Sequence, residues 1–156
     1  MTIALERPVG TADPLTLVNP EVADRLTCRI VTDHPEISAT IARRIVGQAA
    51  AFIAASGRQP GRFLAPSELV DHGWHAFILH TVDYAEFCQR VAGRFVHHVP
   101  TVEDETIPGG PQATRGRTLA AITAAGYAID EELWPDMVDC TQCHEGCTDS
   151  PNSGKS

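Results

Sequence analysis

Basic residues are scarce in this chain of 156 residues, since 12 Lys and Arg stand against 20 Asp and Glu and give a net charge of −8. Proteins that bind phosphate backbones or anionic lipids need an excess of positive charge on one face. We therefore expect no nucleic-acid partner and no membrane partner.

Long apolar runs are also missing. No stretch approaches the roughly 18 apolar residues that a spanning helix needs, and the N-terminal MTIALERPVGTADPLTLV has no basic region followed by an apolar run. We expect a soluble, cytoplasmic protein. In a reducing compartment the five cysteines (Cys28, Cys88, Cys140, Cys143 and Cys147) are better interpreted as ligands, buried thiols or redox groups than as disulfides.

The common enzyme signatures are absent as well. The sequence has no P-loop, no dinucleotide-binding glycine pattern, no H-E-x-x-H and no G-x-S-x-G. It also shows no strand-like alternation and no internal repeat. The sequence therefore predicts no particular substrate and no β-sheet.

What the sequence does contain is a series of helix signals. Proline and an acidic residue follow both Asn19 and His34, Ser67 and Thr81 are candidate caps, and apolar residues recur at helical spacing between them. The pattern predicts an all-α single domain of about five helices, at 20–31, 35–57, 67–80, 81–93 and 114–125. The third and fourth helices would form a central helical hairpin. The chain would divide into an N-terminal arm (1–18), a helical domain (19–135) and a cysteine-rich C-terminal tail (136–156).

The tail contains the densest cluster of candidate ligands, CTQCHEGC at residues 140–147. Two thiolates two residues apart can bind one ion, and two further groups bring the local set to four: Cys140, Cys143, His144 and Cys147. A single such pair is also compatible with a redox dithiol, with covalent haem at C-x-x-C-H, or with a segment that another enzyme modifies. A metal site is our first interpretation.

A second candidate site lies in the central hairpin. Asp71 and His75 are four residues apart and share a helical face, so the carboxylate could orient the imidazole. A short hairpin would bring them near Cys88 and near His97 or His98. Each residue also has a plain structural interpretation, because a thiol on an apolar stripe packs as a small hydrophobe and a lone histidine can hydrogen-bond across helices.

The same region resembles a known family. Trp74-His75-Ala76-Phe77-Ile78-Leu79, followed by Tyr84, Phe87-Cys88, Gly93 and His97-His98, is similar to the core motif of the glycine-rich domain-containing proteins. The resemblance covers about residues 67–100 and implies a shared set of Trp74, His75, Tyr84, Cys88 and His97 or His98. It supplies no activity, and this chain has no glycine-rich extension.

These observations lead to a functional expectation of a small metal-binding protein, with catalysis left open. Its metal ligands would come from the tail and from His75, Cys88, His97 and His98, and Asp71 and Tyr84 would support these ligands without binding the ion. Zinc is expected first, and iron or copper would also suit imidazole and thiolate. The alternative is a non-catalytic helical adaptor or carrier whose tail binds structural zinc or is modified. The partner would be an unknown protein or small molecule.

Overall fold

Five α-helices make up the structure, a computed structural model that describes residues 12–99 and 109–136. They are α1 (Pro20–Asp33), α2 (Ala39–Arg58), α3 (Glu68–Leu79), α4 (Thr81–Ala92) and α5 (Gly110–Ala124), with 3₁₀ turns at Pro14–Leu17 and Glu131–Leu133. Within these residues the only β-type pairing is an isolated bridge between Ala12 and Tyr127. The prediction of an all-α single domain with five helices is confirmed.

Local capping explains most helix boundaries. The Asn19 side chain accepts a hydrogen bond from the backbone N–H of Glu21 at 2.9 Å, and Ser67 accepts one from Val70 at 3.1 Å. Gly93 ends α4 in the left-handed conformation, with φ of 71°. Asn19 and Ser67 satisfy N–H donors that a helix start leaves without partners, and Gly93 lets the chain turn away from the helix, as the sequence predicts.

Two predicted helix starts are wrong. Residues 34–37 form a turn closed by the Ile37 N–H on the His34 carbonyl at 2.9 Å, and α2 begins after Ser38, whose hydroxyl accepts from the Ile41 N–H. The serine provides the cap that was assigned to His34. The last helix begins at Gly110 instead of residue 114, because Pro111 is tolerated in a first turn, where its missing N–H has no partner to lose.

α2 is the centre of the molecule. Every residue from 45 to 55 is buried, and the helix packs against all four other helices and the first 3₁₀ turn. Apart from Gln48, residues 45–55 have apolar side chains or none, which is typical of a helix in an interior. Gly73 lets α3 approach closely, since a Cβ there would lie 2.8 Å from Ile45 Cγ2 and 3.0 Å from Ala49 Cβ. Within residues 12–99 and 109–136, no helix is long and apolar enough to cross a membrane.

Both described ends of the chain are attached to this core. Pro14 and Val18 are buried, and Ala12 is joined to the chain after α5 by hydrogen bonds of 3.1 Å to Gly126 O and 2.9 Å from Ala128 N. The described part of the predicted arm, residues 12–18, therefore lies on the domain. Residues 1–11 lie outside the described part of the chain.

The segment after α5 is held to α2 by four side chains, which we call the C-terminal clamp: Arg44, Gln48, Asp130 and Trp134. Gln48 accepts from the Trp134 indole N–H at 2.8 Å and donates to the Ala128 carbonyl at 3.1 Å. Arg44 donates two hydrogen bonds of 2.7 Å to Asp130. Trp134 is 2% exposed, so this segment is part of the core.

Candidate functional site

One face of α3 carries most of the ionisable side chains near the predicted site. Glu68, Asp71, His72 and His75 recur at positions i, i+3, i+4 and i+7, so they line one side of the helix, and none of them is buried. The opposite side packs Val70, Gly73 and Phe77 into the core. Because α3 lies tightly against α2, this polar face has a fixed position.

The chain after Gly93 returns against α3 and α4 and is fastened there by Tyr84. The Tyr84 hydroxyl accepts from the Trp74 indole N–H at 2.9 Å and donates a short hydrogen bond to the Val96 carbonyl. Burial raises the pKa of Tyr84, so the phenol stays neutral at physiological pH. This arrangement fixes Val96 and thereby places the two histidines that follow it.

His98 forms the central contact of the site. Its Nε2 lies 3.0 Å from Oδ1 of Asp71, and its ring centroid lies 4.4 Å from that of Trp74. The side chains of His98 and Asp71 are 23% and 43% exposed. A carboxylate on one ring nitrogen fixes the orientation of the imidazole and leaves its other nitrogen for a ligand or a proton.

The spacing of Asp71 and His75 predicted a contact between them, but Asp71 contacts a different histidine. His75 is exposed on the outer side of α3, and Asp71 pairs instead with His98, which approaches from the segment after α4. The rings of His75 and His98 nevertheless face each other edge to face, with centroids 6.0 Å apart. The structure therefore brings Asp71, His75 and His98 together at one place.

Two other predicted members lie elsewhere. Cys88 is fully buried in the hydrophobic core, where it contacts Tyr84, and it joins neither histidine; its apolar position on α4 favours packing. His97 is exposed and packs against Phe95, with ring centroids 4.8 Å apart. In the described part of the chain, no group of three His, Cys, Asp or Glu side chains is placed to hold a metal ion.

The tail candidates Cys140, Cys143, His144 and Cys147 lie outside the described residues. Their role in binding a metal stays a prediction.

A groove runs beside the Asp71–His98 pair. Its volume is about 580 Å³, within the range of small-molecule sites. It is lined by the segment before α3 and by five further residues: Asp71, Trp74, His97, His98 and Val99. Phe63 and Val99, which are 36% and 75% exposed, add apolar surface to its walls. The Asp71–His98 pair therefore lies next to a groove that is lined by both apolar and ionisable side chains.

A third histidine contact was missed by sequence reasoning. The rings of His34 and His72 are stacked, with centroids 3.8 Å apart and an interplanar angle of 28°. Partial burial, followed by the nearby His34, lowers the pKa of His72, and Glu68, Asp71 and Glu36 oppose that shift. No local spacing signals this contact, because the two residues are 38 positions apart in the sequence.

Comparison with known proteins replaces the resemblance drawn from the motif. The model of the UCP032817-like family matches residues 16–114, which include α1 to α4, the histidine site and the start of α5. The assignment to the glycine-rich domain-containing proteins is wrong, because a short pattern of aromatic, histidine and cysteine residues was given the weight of a whole domain. No curated protein matches the chain, and no solved structure matches it. The chain belongs to the UCP032817-like family, whose description assigns no activity.

Proposed function

We propose that this protein binds a metal ion between His75 and His98, with Asp71 orienting His98. The observation that carries the proposal is the 3.0 Å contact between His98 Nε2 and Asp71 Oδ1. Histidines that bind metals commonly donate their second ring N–H to a carboxylate, which fixes the tautomer and strengthens the ligand. His98 has that partner and is near the surface.

The separation of the two rings is compatible with a shared ion. With metal–nitrogen distances of about 2.0 to 2.1 Å, two imidazoles on one ion have ring centroids about 5 to 6 Å apart, depending on the angle at the metal. The centroids of His75 and His98 are 6.0 Å apart. Both side chains reach solvent, so small rotations can direct one nitrogen of each ring to a common point.

Two imidazoles do not complete a coordination shell. Since no third ligand group lies in place among residues 12–99 and 109–136, the other positions would be filled by water, by a bound molecule or by the predicted tail ligands. Zinc is expected first, and iron and copper suit imidazole too. An ion with open positions beside the groove could activate water or polarise a bound molecule.

The test is the metal content of the full-length protein and of single variants, measured by mass spectrometry after anaerobic purification. We expect about one ion per chain in the unaltered protein, and metal binding weakened by about tenfold or more in His75→Ala and in His98→Ala. His97→Ala is the matched control, because its imidazole is adjacent in sequence and packs on Phe95.

Two results would contradict the proposal. One is metal retained at the same level in both histidine variants. The other is metal lost solely on truncation after Asp139, which would assign binding to the tail residues Cys140, Cys143, His144 and Cys147.

A second candidate is a non-catalytic adaptor in the cytoplasm that binds an apolar group in the groove. The exposed Phe63 and Val99 support it, since exposed apolar residues that line a concave surface often mark a binding site. This alternative predicts that any bound metal is structural zinc on the tail cysteines and is kept in His75→Ala and His98→Ala. It also predicts that His98→Ala changes stability alone.

A further inference from the structure

His34 and His72 join the end of one helix to the side of another. The backbone N–H of His34 ends α1 by bonding to the Ile30 carbonyl at 2.8 Å, and its carbonyl accepts from Ile37 in the turn before α2. His72 lies in the second turn of α3. Both rings are partly buried, and they stack with centroids 3.8 Å apart. The contact therefore links the turn at 34–37 to α3.

A stacked imidazole pair tolerates one added proton better than two. Neutral rings can stack in an offset arrangement, whereas two imidazolium rings in this geometry place like charges in van der Waals contact. Nearby carboxylates reduce the repulsion between two protonated rings without removing it. Glu36 lies 3.7 Å from His34 Nδ1, and Glu68 and Asp71 act on His72 from its own helix.

We propose that the His34–His72 stack is a proton-operated latch between the end of α1 and α3. The latch is closed when the pair carries at most one proton, and binding of the second proton separates the rings and releases the turn at 34–37. Two interacting sites titrate as a pair, so the two protons bind in separate steps. The latch and the proposed metal site use different rings and are tested by different variants, although Asp71 acts on His72 and also contacts His98.

The first experiment is an NMR titration of the histidine ring protons in the unaltered, metal-free protein between about pH 8 and about pH 4.5. We expect the two rings to bind their protons in two coupled steps, with the pKa of His72 below its ordinary value. Independent single-step curves with ordinary midpoints for His34 and His72 would overturn the proposal. This readout needs no variant.

The second experiment measures hydrogen exchange of the amides from Ile30 to Ile37 at about pH 7 and about pH 5.5, corrected for the intrinsic rate. We expect protection to fall about tenfold or more between these values in the unaltered protein. It should stay constant in His72→Phe, which keeps a flat ring and cannot be protonated.

His97→Phe is the matched control, because it changes an exposed histidine outside the stack and should leave the pH dependence intact. Protection that is the same at both pH values in the unaltered protein, or that falls equally in His72→Phe, would overturn the latch.

Discussion

The C-terminal clamp and the histidine site use similar side chains in opposite ways. In the clamp, Gln48 and Trp134 are buried and the amide of Gln48 uses its oxygen and its nitrogen in hydrogen bonds within the domain. In the histidine site, Asp71 and His98 share one hydrogen bond and remain partly open to solvent. Buried polar groups whose hydrogen bonds stay inside the protein stabilise the fold. Partly exposed polar groups keep donor or acceptor atoms that a ligand or a proton can occupy.

This contrast predicts that Trp134→Ala is the most damaging change. It removes a large side chain that is 2% exposed and leaves the Gln48 carbonyl oxygen without its donor. We expect a loss of about 3 to 5 kcal/mol in the free energy of unfolding, measured by urea denaturation. Trp134→Phe, which keeps most of the volume and loses the N–H, should cost about 1 to 3 kcal/mol. Equal losses in the two variants would show that the hydrogen bond to Gln48 explains the clamp, whereas no loss in Trp134→Phe would show that packing alone explains it.

A smaller effect should appear as a pH dependence of the clamp. The hydrogen bonds from Arg44 hold the pKa of Asp130 below its usual value. A carboxyl group with a depressed folded-state pKa stabilises the protein above its unfolded pKa of about 4, and that contribution disappears as pH falls through the folded-state value. Asp130→Asn should therefore lower the melting temperature at about pH 7 and match the unaltered protein at about pH 2.

The matched control for this prediction is Asp24→Asn. Asp24 forms an exposed ion pair with Arg43 at 2.8 Å and lies outside the clamp. We expect its melting curves to follow those of the unaltered protein at every pH. A difference between Asp130→Asn and the unaltered protein that stays constant down to the lowest pH would contradict the assignment.

Asp71→Asn should have the smallest effect on stability and a clear effect on ligand binding. Exposed carboxylate pairs contribute about 1 kcal/mol or less to the free energy of unfolding, and Asp71 is 43% exposed. Under the proposed function, metal affinity measured by competition with a chelating dye should fall by about 10 to 100-fold. Glu68→Gln, on the same face of α3, is the control, and an equal loss of affinity there would indicate a general charge effect.

Much of the fold could be predicted from the sequence because its signals are local. Asn19-Pro20, Ser67 and Gly93 act on the backbone within one turn, and the helices they bound are found as predicted. The central position of α2 was less visible, because its run of alanines is a weak hydrophobic signal even though every residue from 45 to 55 is buried.

The site was predicted in part, for the same reason. Asp71, His75 and a histidine after Gly93 do meet, because a short connection returns the chain to α3. Which histidine the carboxylate contacts depends on the Tyr84 hydrogen bond to Val96, and the stacking of His34 on His72 depends on the packing of α1 beside α3. Neither is encoded in a spacing along the chain.

The junction between α3 and α4 restricts how this protein can be engineered. His80 is the single residue between the two helices, and both its backbone groups are used: its N–H bonds to Phe77 O at 3.0 Å and its carbonyl accepts from Tyr84 at 2.8 Å. A reporter peptide inserted there would break both helix ends and shift Tyr84. A tag inserted next to Gly61 is a better choice, because this turn is exposed and nothing lies within 4 Å of a Cβ built there; the glycine itself should be kept, since its φ of 82° disfavours other residues.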